Sequence, residues 1–237
     1  MANRILGVGF VILLFAVTFF SVTRMGVQPE SLRAHARMPQ AGLLVYYPFD
    51  GNAVDHSGNG RDGVLYGASP TVDRHGVAGA ALSFDGVDDY VQIQPNKTLS
   101  AISISVWLRG KALPYAVAYY QGNQDCSIGH DGEGRILFGV ILVDRNLYSL
   151  TGPKASPYWT HIVGTYQAGE TLRLYVNDAL IDSLHAPPLL EGYPTQFGSS
   201  IGAGLGGALG FYDGDIDDFR IYNRLLSSAE IHLLYRE

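Results

Sequence analysis

Residues 102–108 obey a period of two. Ile102, Ile104, Val106 and Leu108 fall on one side of the backbone, and Ser103, Ser105 and Trp107 on the other. An extended strand gives that pattern one apolar face, whereas a helix would scatter it around the cylinder. Similar short runs recur from Leu43 onward: "LLVYYPFDG", "ALSFDGVDDYVQIQ", "WTHIVGTYQ" and "TLRLYVNDALIDSL". The last reads as a hairpin folded at Asn177-Asp178, residue types that tolerate positive φ. With 29 glycines punctuating the chain, strands spaced at roughly 8–15 residues predict an all-β, two-sheet antiparallel sandwich or jelly roll. One helix is expected, short and C-terminal. Ser227 and Glu230 form an S-x-x-E capping box ahead of "IHLLY".

The first 40 residues differ. Residues 5–22, "ILGVGFVILLFAVTFFSV", are uncharged and apolar, with Arg4 before and Arg24 after. The run is long for a signal-peptide core, lacks an A-x-A-like site, and sits at the short end for a bilayer span. We therefore expect a separate N-terminal hydrophobic helix in residues 1–24 (membrane anchor or signal segment), a linker at 25–41 and one domain at 42–237. Residues 41–237 carry 12 basic and 21 acidic residues, a net of −9. That balance argues against nucleic acid as a partner, which needs a basic footprint. Cys126 is the only cysteine, so no intrachain disulfide forms.

The stretch "DGDIDDFRIYNR", residues 213–224, poses a problem. In a regular strand Asp217 shares a side with Phe219 and Ile221, and an unpaired buried carboxylate is costly. A β-bulge could re-aim it, an arginine could pair with it, or a metal ion could bind it. An EF-hand is excluded, because Asp218 stands where glycine is needed and Arg224 where glutamate is needed.

Five segments in order, "YYPFDGNAVDHSGNGRDGVL", "GVAGAALSFDGVDDYVQI", "ISISVWLR", "WTHIVGTYQAGETLRLYVNDALI" and "GDIDDFRIYNRLLSSAEIHLLY", resemble the laminin-G-like domains of the concanavalin A-like jelly-roll superfamily. The resemblance runs from about Leu43 to Tyr235. It implies two curved sheets packed face to face, a module found mostly outside the cytoplasm, and often a structural calcium ion near the chain ends. The metal ligands expected on that basis are Asp50, Asn52, Ser57, Asp217 and Asp218, a set with the oxygen chemistry calcium prefers. The three arginines after residue 22 weakly favour a cytoplasmic domain; the resemblance favours the outside, or secretion, and we take that side.

The expected function is a non-catalytic, calcium-stabilised, extracytoplasmic module for a glycan or cell-surface protein. Tyr119, Tyr120, Asp125 and His130, with Tyr115 nearby in the same strand-loop segment, form the best local cluster of aromatic and polar residues for a sugar. A glycoside hydrolase is the alternative, but the six glutamates show none of the E-x-D-x-x-E-like spacing its carboxylate pair would need. A purely structural surface or adhesion module is the third reading. "GAGLGG" at 202–207 fits a dinucleotide fingerprint only in letters, because no helix pattern follows. Trp107 and Trp159 are expected to serve packing.

Overall fold

The computed structural model describes residues 38–94, 99–121, 126–141, 146–186 and 198–237. The expected anchor, most of the linker and Asp125 lie outside the described residues.

Among the described residues, fifteen strands and one helix follow in chain order. They are β1 (Leu43–Tyr47), β2 (Val64–Tyr66), β3 (Ser69–Val72), β4 (Ala78–Asp85), β5 (Tyr90–Ile93), β6 (Ala101–Gly110), β7 (Val117–Gln121) and β8 (Cys126–His130). Then come β9 (Arg135–Ile141), β10 (Leu147–Lys154), β11 (Thr160–Gln167), β12 (Thr171–Val176), β13 (Ala179–His185), β14 (Ser199–Ile201), β15 (Asp213–Tyr222) and α1 (Ser228–Tyr235). One sheet runs β13-β12-β11-β6-β15-β4-β3, with β1 also on β15; the other runs β10-β9-β8-β7-β14-β5-β2. Every pairing is antiparallel. This is the two-sheet jelly roll expected from the alternation.

The apolar face of β6 lies between the sheets, where Ile102, Ile104, Val106 and Leu108 join Phe84, Phe138, Tyr119 and Phe219. The sheets meet closely at Gly164, where an added Cβ would stand 2.4–2.6 Å from the Phe138 ring. The opposite face of the first sheet is covered too. There Tyr222 and Val163 pack with Leu226, Ile231 and Leu234 in a second apolar cluster beneath α1. Trp107 joins this outer layer and stacks on Tyr235 at 5.7 Å. It serves packing, though outside the inter-sheet core; Trp159 is half-buried beneath the Arg109 guanidinium, 4.8 Å from its ring centre.

Local chemistry sets the connections. Asn177 and Asp178 take φ of 48° and 69°, and β12 returns as β13 at that turn. Ser227 accepts from the Glu230 backbone N–H while the Glu230 carboxylate accepts from the Ser227 N–H, closing the capping box. The first and last strands lie side by side, Tyr46 opposite Arg220 and Tyr47 opposite Phe219. The two ends of the domain are therefore joined by a strand pair.

Candidate functional site

The problem of Asp217 is solved by two devices together. The β15–β6 register slips between Asp217 and Arg220, and Asp218 takes a φ of +48°. Such a bulge resets the alternation. Ile216 and Phe219 both enter the core, while Asp217 stands opposite Trp107, on the outward layer of the sheet. The regular-strand expectation that Asp217 shares a side with Phe219 and Ile221 is thereby corrected. The second device is Arg74, from the turn after β3. Its Nη1 donates to Asp217 Oδ2 at 2.7 Å and to Asp218 Oδ2 at 2.6 Å. Its guanidinium also sits 4.8 Å from the centre of the Trp107 ring.

A second arginine completes the clasp. Arg220 donates to Asp218 Oδ1 at 3.2 Å and to the Glu237 carboxylate at 2.7 Å, and lies 3.9 Å from the centre of the Tyr46 ring. The Tyr46 hydroxyl donates to Asp218 Oδ1 at 2.8 Å. Burial and the neighbouring Asp218 push Asp217 up to about 8, against the pull of Arg74. Asp218 suffers burial as well, yet Arg220, Arg74 and the Tyr46 hydroxyl hold it below the usual carboxylate range. Beneath the clasp His161 is fully enclosed and hydrogen-bonded to Ser105 Oγ at 2.8 Å. Burial, then the charges of Arg220 and Arg74, drive its pKa down to about 3. The imidazole therefore stays neutral.

A cleft of about 380 Å³ opens above the clasp, lined in part by Asp50, Asp73, Asp217, Asp218 and Glu237. Three of the five expected metal ligands thus meet here, yet the set does not fit a calcium ion. Asp218 has both oxygens engaged, and Asp217 Oδ2 is held by Arg74. Asn52 closes its own turn, accepting from the Val54 N–H and donating to the Asp50 carbonyl, both at 2.9 Å. The Ser57 hydroxyl faces Asp55 Oδ2 at 2.8 Å. Calcium requires about six to eight oxygens. With four of five members committed to other partners, the guanidinium of Arg74 is the cation of this site. Asp55 organises the loop below it, accepting from the backbone N–H of Tyr46, Ser57 and Arg61 and from the Ser57 hydroxyl. Burial works against its charge, but these donors keep its pKa low.

The expected sugar cluster is not assembled on an exposed surface. Tyr119 lies in the core, 5.0 Å from the Phe219 ring, with its hydroxyl donating to Gln121 Oε1. His130 is buried against Tyr212 and hydrogen-bonds the Leu113 carbonyl at 3.2 Å. Tyr120 is 8% exposed. All three rings are buried, Tyr119 in the inter-sheet core, which the crowded local sequence does not reveal.

A different aromatic group is open to solvent. Tyr66 of β2 and Tyr90 of β5 are directly opposed across the strands. Their rings stack at 4.5 Å with planes 8° apart, and Tyr66 is 42% exposed. Because Val91 and Ile93 of β5 enter the core, Tyr90 faces outward. Tyr66, Gly67, Asp88, Tyr90, Gly207 and Phe211 line a depression of about 390 Å³. Next to it, carboxylate oxygens of Asp85, Asp88 and Asp89 lie within 4.8 Å of one another. Asp85 Oδ1 accepts from the Val87 N–H at 2.8 Å and Asp89 Oδ2 from the Asp85 N–H at 3.0 Å, which fixes the turn. Sequence reading missed the tyrosine pair because 24 positions separate its members; only the outward phase of "YVQI" hinted at it.

Residues 85–232 match the family described as the concanavalin A-like lectin/glucanases superfamily. The chain belongs to that superfamily. Solved jelly-roll structures share its fold. The serotype D botulinum neurotoxin ligand-binding domain, in complex with N-acetylneuraminic acid, superposes with a TM-score of 0.67 at 17% identity. The match covers 86% of this chain and 52% of that one. The binding domain of botulinum neurotoxin DC, in complex with rat synaptotagmin II, gives 0.63 at 16% identity, covering 82% and 51%. The binding domain of Paraclostridial Mosquitocidal Protein 1 gives 0.64 at 19%, covering 82% and 52%. The superfamily domain described here therefore spans about half the length of these chains. No curated protein sequence matches it.

Proposed function

We propose that this protein is a non-catalytic binding module that works outside the cytoplasm, with a glycan or a protein surface as its ligand. One observation carries the reading. Each aspartate of β15 is paired with a cation: Asp213 with Lys111 at 2.6 Å, Asp215 with Arg109 at 2.8 Å, Asp217 with Arg74, and Asp218 with Arg74 and Arg220. Glycosidic cleavage uses two carboxyls about 5–10 Å apart, one able to give a proton and one free to attack or to activate water. A strand whose acids are closed by guanidinium and ammonium groups supports architecture rather than turnover.

The names of the similar structures support the binding half, since they are receptor- or ligand-binding domains, one in complex with N-acetylneuraminic acid and one with rat synaptotagmin II. The apolar run at residues 5–22 supports attachment to a membrane, and the −9 balance of residues 41–237 suits a solvated, non-nucleic-acid surface. Calcium has no part in this proposal, because its expected donors serve other groups. Hydrolysis is the second reading. It draws on Asp217, whose raised pKa suits a general acid. Its neighbour Asp218 is wedged between two guanidinium groups and a hydroxyl, and is not free to attack. The purified protein should bind ligands in a glycan and receptor-ectodomain screen and leave β-glucans and sialosides uncleaved. Turnover that disappears in Asp217→Asn, with folding intact, would overturn the reading.

A further inference from the structure

We propose that the Tyr66–Tyr90 platform is a saccharide subsite selective for pyranoses without anionic groups. The inference rests on the glycan-binding reading above and names its site and ligand class. Four observations on the outer face of the second sheet lead to it.

First, the platform is built from behind. An added Cβ at Gly207 would stand 2.6, 2.7 and 2.8 Å from three neighbouring Tyr90 ring atoms. Near-equal distances to atoms on both sides of Cζ place the glycine backbone over the ring face, not at its rim. Gly207 has a φ of +93° and therefore both the conformation and the lack of a side chain that this approach requires. Backbone, Tyr90 and Tyr66 thus form successive layers, and Tyr66 is the solvent-facing one. Second, the depression is of sugar size, about 390 Å³, and Phe211 adds a third ring to its wall. Third, its lining carries an exposed carboxylate, Asp88, which accepts from sugar hydroxyls or from an amine. Fourth, Tyr66 is oriented by a hydroxyl contact to Gln92 Oε1 at 3.3 Å, on the same outward face.

The chemistry of the ligand follows. The C–H face of a pyranose ring stacks on an exposed aromatic ring, burying apolar area that an unsupported loop tyrosine could not hold rigid. Among the described residues no lysine or arginine lines the depression, and Asp85 and Asp89 add negative charge beside Asp88. Sialylated, sulfated or uronic sugars are repelled there, while neutral and amine-bearing pyranoses are accepted. This selectivity is opposite to that of a sialic acid site.

The test is a glycan array of neutral, amine-bearing, sialylated and sulfated oligosaccharides probed with the full-length protein, followed by titration with lactose, 3′-sialyllactose and a glucosamine trimer. Wild-type protein should bind neutral or amine-bearing glycans, with 3′-sialyllactose at least tenfold weaker than lactose or the trimer. Binding to the trimer but not to lactose assigns the site to amines; the reverse assigns it to neutral sugars. Tyr66→Ala should lose tenfold or more and Tyr66→Phe should retain binding, with melting curves unchanged in both. Asp88→Asn should weaken the trimer more than lactose. Glycan binding that survives Tyr66→Ala overturns the subsite and leaves the binding-module reading standing. A preference for sialylated or sulfated glycans overturns the selectivity. Binding to no glycan overturns both the subsite and the glycan reading.

Discussion

Replacing Arg74 with methionine keeps most of the side chain's length and removes its charge. The change abolishes ion pairs of 2.7 and 2.6 Å to Asp217 and Asp218, whose side chains are 3% and 10% exposed. Removing one partner of a buried pair costs about 3–5 kcal/mol, because the other charge stays behind unpaired. Arg220 still holds Asp218, and Asp217, raised to about 8, is largely protonated at pH 7 even with Arg74 in place, so little charge is left unpaired there. Both effects point to the lower end, about 3 kcal/mol. For a domain of this size each kcal/mol lowers the midpoint by roughly 2–4 °C, so Arg74→Met should melt roughly 6–12 °C below wild type. Thermal unfolding followed by circular dichroism at pH 7 measures this. Asp217→Asn added to Arg74→Met should restore part of the loss, since the amide carries no charge to bury. The same melt with a chelator should match the melt with millimolar calcium, because the guanidinium already supplies the cation. A midpoint that falls with chelator and recovers with calcium, or an Arg74→Met midpoint equal to wild type, refutes the reasoning.

Three further outcomes are expected. Asp217 lies above its ordinary 3.8, so the folded state holds an extra proton up to about pH 8 and stability falls as pH rises through that window. His161, pushed down to about 3 from 6.5, makes stability fall as pH drops below 6.5. The two slopes oppose each other from about pH 4 to 6.5, and above that only the Asp217 slope of the two remains, with up to roughly 2 kcal/mol lost by pH 8. Urea unfolding at pH 6.5 and 8 should show that loss in wild type and not in Asp217→Asn; equal slopes would count against it. Asp55→Asn replaces an acceptor of four hydrogen bonds with a group whose nitrogen cannot accept, and should cost about 2–4 kcal/mol in the same assay. Gly164→Ala drives a methyl into the Phe138 ring and should cost about 1–3 kcal/mol, a loss that Phe138→Leu on the same chain should partly relieve.

What is local and periodic was legible in the order of the residues alone. The alternation through residues 102–108, the Asn177-Asp178 turn and the Ser227–Glu230 cap each read correctly, because neighbouring residues impose strand phase, positive φ and helix start without help from the rest of the chain. The sequence also raised the right question at Asp217, because a carboxylate in phase with core residues must be re-aimed, paired or metal-bound. Which answer holds was decided only by the tertiary structure. The bulge at Asp218 depends on two register segments of β6, and Arg74 arrives from 143 positions away in a turn that carries no motif. The tyrosine platform has the same origin. Tyr66 and Tyr90 become one surface only when β2 pairs with β5, and Tyr90 is held flat only because Gly207 comes up behind it. Periodicity fixes which way a side chain points along its own strand; which distant charge or ring it meets is set by sheet pairing, and that is a property of the folded chain.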